Sequence, residues 1–384
     1  MAAHRKKAKR PPKRALAPST DSSADLTRLL DIVAAFPRQT VAVIGDFVVD
    51  EFVSSEISRV SREAPVLILR HRRTEAFPGA AANAVNNLAD LGARVLPVGI
   101  VGNDPTGRAL LDVFRGKRID VAGILRVPAA TGGAAQGASA DWATPVKTRY
   151  LAGWTHTTEQ QVLRVDREPS GELPPRVAEA IERKARRAAR RAGVVLISDY
   201  GLGAVSPALV RKLPAARITL DSRYRLLDYT DTRVIAATPN EPELEAAYHT
   251  RVGTDVAKLE ELGRRALDDL GLEALIVTRG KDGMAVFERA PQGARESPPA
   301  RHIPIYGSDT PVDVTGAGDT VIAVFTLALA AGASFLEAAH LANYAGGIVV
   351  MKRGTATVTQ HELLAALKKD AQNFAQNDVD QEDD

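Results

Sequence analysis

Short unbroken apolar runs recur along the chain, each stopped by glycine or a small polar residue and most followed by a stretch with helical spacing. Val41-Ala-Val-Ile44 stops at Gly45-Asp46, the run 95–101 precedes a helix over 105–114, and 194–197 follows a charged helix over 177–192. Further runs at 218–220, 234–237 and 274–277 continue the series, with helical segments between them. Such runs read as strands buried on both faces, and their alternation with helices predicts a mostly parallel α/β sandwich. Helical spacing also covers 26–36 near the start and 316–331, 334–351 and 360–371 at the end. A different pattern, alternating apolar and polar, marks 66–70, 147–151 and 161–165. Those strands leave one face polar and predict a small lid, built from about 52–76 and 145–166.

Ligands of parallel sheets gather beyond the carboxyl ends of the strands. The residues there are Gly45-Asp46, Gly102-Asn103-Asp104, Ser198-Asp199-Tyr200-Gly201, Asp221-Ser222-Arg223, Thr238-Pro239-Asn240 and Thr278-Arg279-Gly280. Acids and small residues dominate, so one crowded polar crevice is expected. The most informative stretch is Asp313-Val314-Thr315-Gly316-Ala317-Gly318-Asp319, followed at once by an apolar helix. A glycine-rich turn opening a helix offers unpaired N–H groups at the positive end of the dipole, which suits an anion. Asp319 beside that anion site is useful if it takes a proton from a hydroxyl attacking a phosphate. An ordinary helix start, with glycine for the turn and aspartate for the dipole, is the alternative.

Composition narrows the class. The 384 residues are 45% apolar and hold no cysteine, which excludes disulfides, thiolate metal sites and a cysteine nucleophile. Neither a membrane span nor a signal peptide is visible, so a cytoplasmic protein is expected. The net charge of +3 arises at the ends: seven basic residues stand among the first fourteen, and five acids lie between 378 and 384. The body between is nearly neutral. A disordered basic tail over 1–22 and a disordered acidic tail over 372–384 are predicted, flanking one domain over 23–371. A solvated tail explains the basic segment better than nucleic-acid binding does.

With these residues in view, the chain resembles the ribokinase-like (PfkB) sugar kinases over roughly 38–370. Asp313 to Asp319 resembles their C-terminal glycine signature, and Phe77-Pro-Gly-Ala-Ala-Ala-Asn83 their N-terminal one. Within the family the chain is most similar to heptose 7-phosphate kinase domains that are often fused to an adenylyltransferase. That similarity rests on Ser58-Arg59-Val60-Ser61-Arg62-Glu63-Ala64-Pro65, Arg164-Val-Asp166, Ser198-Asp-Tyr200, Thr238-Pro-Asn-Glu241 and Lys352-Arg-Gly-Thr-Ala-Thr-Val358. Too little chain follows residue 371 to hold the fused enzyme. The resemblance implies a three-layer α/β/α sandwich and transfer of the ATP γ-phosphoryl group to a sugar phosphate, with Mg²⁺ and the option of a monovalent cation. Asp319 would be the base, and the N–H groups of Gly316, Ala317 and Gly318 the anion hole. Asp50, Gly79 and Asn83 would meet the sugar, and Arg59, Lys147, Arg149 and Arg164 would offer counter-charge to its phosphate.

On the nucleotide side the resemblance implies Asn240, Glu241, Pro242 and Glu243, with Asn240 and Glu243 holding Mg²⁺ through water. The same Asn-Glu spacing is also a helix capping pattern. Thr278, Gly280, Gly283, Asp313, Thr315, Asn343 and Arg223 complete the expected nucleotide surroundings, although Gly280 and Gly283 also fit an ordinary hairpin turn. The chain departs from the family at Leu202 and Arg223, where lysine is usual, at Ser222, where proline is usual, and at Ala80, where glycine is usual. A kinase for another sugar, or a weakly active kinase-fold scaffold, therefore stays open. A homodimer through the lid strands is expected from their open edges; neither a membrane nor a nucleic acid is expected as partner.

Overall fold

A computed structural model describes residues 22–128, 142–154, 157–169, 173–215, 217–290 and 297–382. The predicted basic tail lies outside them, apart from Ser22, where the first helix starts. That helix, α1, spans Ser22–Ala34 and leads into β1 (Thr40–Gly45), then the long hairpin β2 (Phe47–Val60) and β3 (Leu67–Ala80). Helix α2 (Ala81–Asp90) follows, then β4 (Arg94–Val98), β5 (Ile100–Gly102), α3 (Pro105–Gly116) and β6 (Leu125–Val127). The run 95–101 is thus two strands: Gly99 hands the chain from the central sheet to a two-stranded one formed by β5 and β6. Strands β7 (Val146–Gly153) and β8 (Gln160–Arg167) precede α4 (Pro175–Ala189) and β9 (Val194–Asp199). Next come α5 (Pro207–Arg211), β10 (Ile218–Ser222), β11 (Val234–Ala237), α6 (Glu241–Ala247) and α7 (Val256–Asp269). The chain closes with β12 (Ala274–Thr278), β13 (Met284–Glu288), β14 (Arg301–Ile303), α8 (Ala317–Ala330), α9 (Phe335–Val349) and α10 (Gln360–Glu382). Where a disordered acidic tail was expected after 371, α10 continues to Glu382.

Eight strands form the central sheet in the order β14-β13-β12-β11-β10-β9-β1-β4, parallel from β4 to β12 and antiparallel at the β12, β13 and β14 edge. Its continuous apolar runs feed two cores, because successive side chains point to opposite faces. Val41, Val43 and Leu196 join the core beneath α1, α2, α8, α9 and α10. Ala42, Ile44, Val195 and Ile197 join the core beneath α4, α5 and α7. The result is the mostly parallel sandwich that the pattern predicted, in the three layers that the resemblance implied. Helix α8 is apolar on nearly every side and is buried almost throughout, as a helix covered on all faces should be.

The lid is a four-stranded sheet in the order β3-β2-β7-β8. Its polar face and its open outer strands fit the alternation in sequence: every residue of β8 is exposed, Leu163 and Val165 among them. One residue, Asp46, separates β2 from the end of β1, so the hairpin runs straight from the carboxyl edge of the central sheet into the lid.

Candidate active site

A cavity of about 240 Å³ opens where the lid meets the carboxyl ends of the central strands and the start of α8. Its wall takes Asp50, Lys147 and Arg149 from the lid strands, and Tyr200, Asp221 and Arg223 from the segments after β9 and within or after β10. Thr238, Asn240 and Glu243 come from beyond β11, Thr278 from the end of β12, and Thr315, Gly316, Gly318 and Asp319 from the α8 turn.

Gly316 is the N-cap of α8 in the left-handed region, with φ 76°. A Cβ there would lie 2.6 Å from Asn83 Nδ2 and 2.7 Å from Thr355 Cγ2, so both the conformation and the space require glycine. Asp313 holds the approach to this turn: its carboxylate accepts from the N–H of Thr315 and the N–H of Gly354, each at 2.9 Å. The Ala317 N–H is donated to Val314 O at 3.2 Å, so of the three expected anion-hole residues Gly316 and Gly318 are those that line the cavity.

Asp319 is 3% exposed. Asn83 Nδ2 donates to one carboxylate oxygen at 3.0 Å, and the Tyr200 hydroxyl donates to the other at 2.8 Å. Burial pushes its pKa up to about 7 against the pull of those two donors, with the Asp50 charge adding to the rise and Lys147 opposing it. A carboxyl poised near neutrality is suited to taking a proton at physiological pH.

Asp50 is bound on both oxygens, by Arg149 at 2.6 Å and by the Thr355 hydroxyl at 3.1 Å. Gly79 lies against it: a Cβ would come within 2.4 Å of the carboxylate, which explains glycine there without a sugar. Asn83 is fully buried behind Asp319, its amide used by Asp319, Gly316 O and Asn87. Lys147 is buried, makes no ion pair among the described residues, and stands 4.7 Å from the centre of the Tyr200 ring. Burial and then the Arg223 charge lower its pKa. Arg164 lies across from Arg149 in the β7–β8 pairing and is engaged by Asp166 at 2.7 Å, while Arg59 is exposed near the far end of β2.

On the other side, Asn240 and Glu243 form a complete capping box: Asn240 Oδ1 accepts from the Glu243 N–H, and Glu243 accepts from the Asn240 N–H. Both also line the cavity, so capping fixes the orientation in which they face it. Asp221, which sequence reasoning did not single out, is pushed well above the ordinary carboxylate range by burial and by Glu243. Burial raises the half-buried Glu243 as well, and two neighbouring carboxylates make a hard-oxygen environment that fits Mg²⁺. Glu241 pairs with Arg279 at 3.0 Å, and Pro242 sits in the first turn of α6; neither faces the cavity. Gly280 and Gly283 make the turn between β12 and β13, and Asn343 donates to Pro304 O at 2.8 Å, all three outside the cavity wall. Tyr200 was noticed only as part of a motif; its hydroxyl meets Asp319 across 119 positions, which no local pattern reveals.

Comparison with known proteins agrees with this architecture. The bifunctional protein HldE of Geobacter sulfurreducens is 38% identical over 332 residues, covering 85% of this chain and 62% of that protein. HldE of Desulfatibacillum aliphaticivorans is 37% identical over 343 residues, covering 88% and 64%. The chain thus spans under two thirds of the length of these relatives. Among solved structures, Arabidopsis thaliana ribokinase complexed with ribose and ATP superposes with a TM-score of 0.62 at 19% identity, over 86% of this chain and 99% of that one. Phosphofructokinase-2 from Escherichia coli in complex with potassium gives 0.65 at 16%, over 86% and 98%. The fold is therefore ribokinase-like. The model of the pfkB family carbohydrate kinases matches residues 38–362, and the chain belongs to that family.

Proposed function

We propose that the protein transfers the γ-phosphoryl group of ATP to a sugar hydroxyl, namely the anomeric hydroxyl of D-glycero-D-manno-heptose 7-phosphate, giving the 1,7-bisphosphate. The observation that carries the reaction type is Asp319, a buried carboxyl raised to about 7 beside the N-terminus of α8. Asp319 takes the hydroxyl proton as the sugar oxygen bonds to the γ-phosphorus and the bond from that phosphorus to ADP breaks. Gly316 and Gly318 supply N–H groups, and the helix dipole adds to the field that stabilises the transferring charge. Asn240 and Glu243 would hold Mg²⁺ through its water shell; the ion neutralises phosphate oxygens.

Support for a phosphorylated sugar comes from Lys147, a buried cation without an acid partner among the described residues, and from Arg149 and Arg164 close by. A neutral sugar gives such a cation nothing to neutralise. The HldE relatives support heptose. We include in this reading a homodimer formed through the open edges of the lid.

A coupled ATP-consumption assay over phosphorylated and unphosphorylated sugars tests the substrate. The expected result is turnover that requires a sugar phosphate and is highest with the heptose 7-phosphate. Preference for an unphosphorylated sugar would overturn the substrate, and no turnover with any sugar would overturn the reaction.

A further inference from the structure

The two groups that hold the Asp319 carboxylate reach it from different parts of the fold. Asn83 belongs to α2, and Tyr200 to the segment that follows β9. Both segments are tied to Asp46, the residue that separates β1 from β2. Its carbonyl accepts from the N–H of Ala81, the first residue of α2. Its carboxylate, 2% exposed, accepts three backbone N–H groups: Tyr200 at 2.8 Å, Leu202 at 3.0 Å and Ala204 at 2.9 Å. Asp199 adds a second tie, accepting from the Gly201 N–H and from the buried Tyr229 hydroxyl. A segment without secondary structure is thus fastened at every second residue, far more firmly than a connecting loop needs.

What that fastening fixes is the Tyr200 side chain. Its ring has Lys147 near one point, 4.7 Å from the centroid, and Arg223 at 5.9 Å, and its hydroxyl points at Asp319. With Asn83 on one oxygen and Tyr200 on the other, the carboxylate has no freedom to rotate. Proton transfer depends steeply on such orientation.

We propose that Tyr200 is a positioning residue for phosphoryl transfer, aiming the Asp319 carboxylate, and that Asp46 is the anchor that keeps the Tyr200 hydroxyl in place. Neither residue acts on the sugar or on ATP. The inference rests on the kinase reading above. The charged and titratable groups that face Asp319 are Asp50 from β2, Lys147 from β7, Tyr200 itself and Asp221 from β10. Changing Tyr200 to phenylalanine leaves all the others in place and removes one donor.

The test compares wild type, Tyr200→Phe, Asp46→Asn and the double variant in steady-state kinetics across pH 5.5–9. Tyr200→Phe is expected to lower kcat about tenfold, the size of one hydrogen bond to a charged group, with both KM values within about twofold of wild type. Losing a donor to the carboxylate also moves the acid limb of the kcat profile upward by about one pH unit. Asp46→Asn keeps the shape but puts an amide among three N–H groups, and is expected to move kcat and the limb in the same direction. In the double variant the Asp46 change adds no further loss, because it acts through a hydroxyl already absent. Losses that multiply in the double variant would overturn the anchoring, and an unmoved acid limb in Tyr200→Phe would overturn the positioning role. Should Asp46→Asn not fold, Tyr200→Phe decides alone. A wild-type chain inactive on every sugar would sink the kinase reading and this inference with it.

Discussion

Asp319 is held in its charged form against a strong burial penalty. Its pKa rises from an ordinary value of 3.8 to about 7 because burial penalises the charged form. A carboxyl raised in the folded state contributes stability below its unfolded value and loses it as pH climbs through the folded one. Asp46, raised to about 6 by burial against its three N–H donors, behaves in the same direction. At about 1.4 kcal/mol per unit, the charged Asp319 costs the fold at most about 4 kcal/mol near pH 7.5. Asp319→Asn stays neutral but keeps fewer of the two hydrogen bonds, so a net gain of about 2 kcal/mol is expected. Thermal unfolding checks this: the variant should melt about 2–4 °C higher at pH 7.5, and the difference should vanish toward pH 5. At this scale the sequence revealed Asp319, since the acid and its glycine turn are four residues of one local motif. Tyr200, Asp46 and Asp221 escaped because their roles depend on partners more than a hundred positions away or on neighbouring strand ends.

Among the elements, the junction of β3 and α2 shows what a departure from the family does. Ala80 has φ 51° and ψ −133°, a region that glycine enters freely and alanine does not. The strain persists because β3 pairs with β2 up to this residue and the Ala81 N–H is bound to Asp46 O. Restoring glycine removes about 1–3 kcal/mol of strain and returns under 1 kcal/mol through the looser unfolded chain. Ala80→Gly should therefore raise the unfolding free energy by about 1 kcal/mol or more in denaturant titration. A loss of stability would show that the backbone at Ala80 is not strained. Elements were legible wherever local patterns decide them: the strand runs, the Asn240–Glu243 cap and the Gly280–Gly283 turn all stand where spacing placed them. The break at Gly99 was not, because an apolar run looks the same whether one sheet or two receive it. The end of α10 was missed for a related reason: acids at the chain end read as a tail, yet helical hydrogen bonding continues to Glu382.

At the scale of the whole molecule, the sandwich and the lid bring opposite chemistries to one cavity. The lid contributes the cations Lys147 and Arg149 with Asp50, and the central strand ends contribute Asp221, Asn240 and Glu243. The start of α8 supplies the glycine turn and Asp319, the proposed base. Alternating strands and helices predicted the mostly parallel sandwich, and residues of both glycine signatures lie on the wall of the candidate cavity. The division of labour within the cavity emerged only once the chain was folded, since it depends on which strand ends become neighbours. The most direct test of the account is turnover and ATP binding measured side by side for wild type and Asp319→Asn, with the best sugar phosphate at pH 8. The account predicts unchanged ATP affinity and a kcat lower by at least about 10²-fold. Near-normal turnover in Asp319→Asn would contradict it.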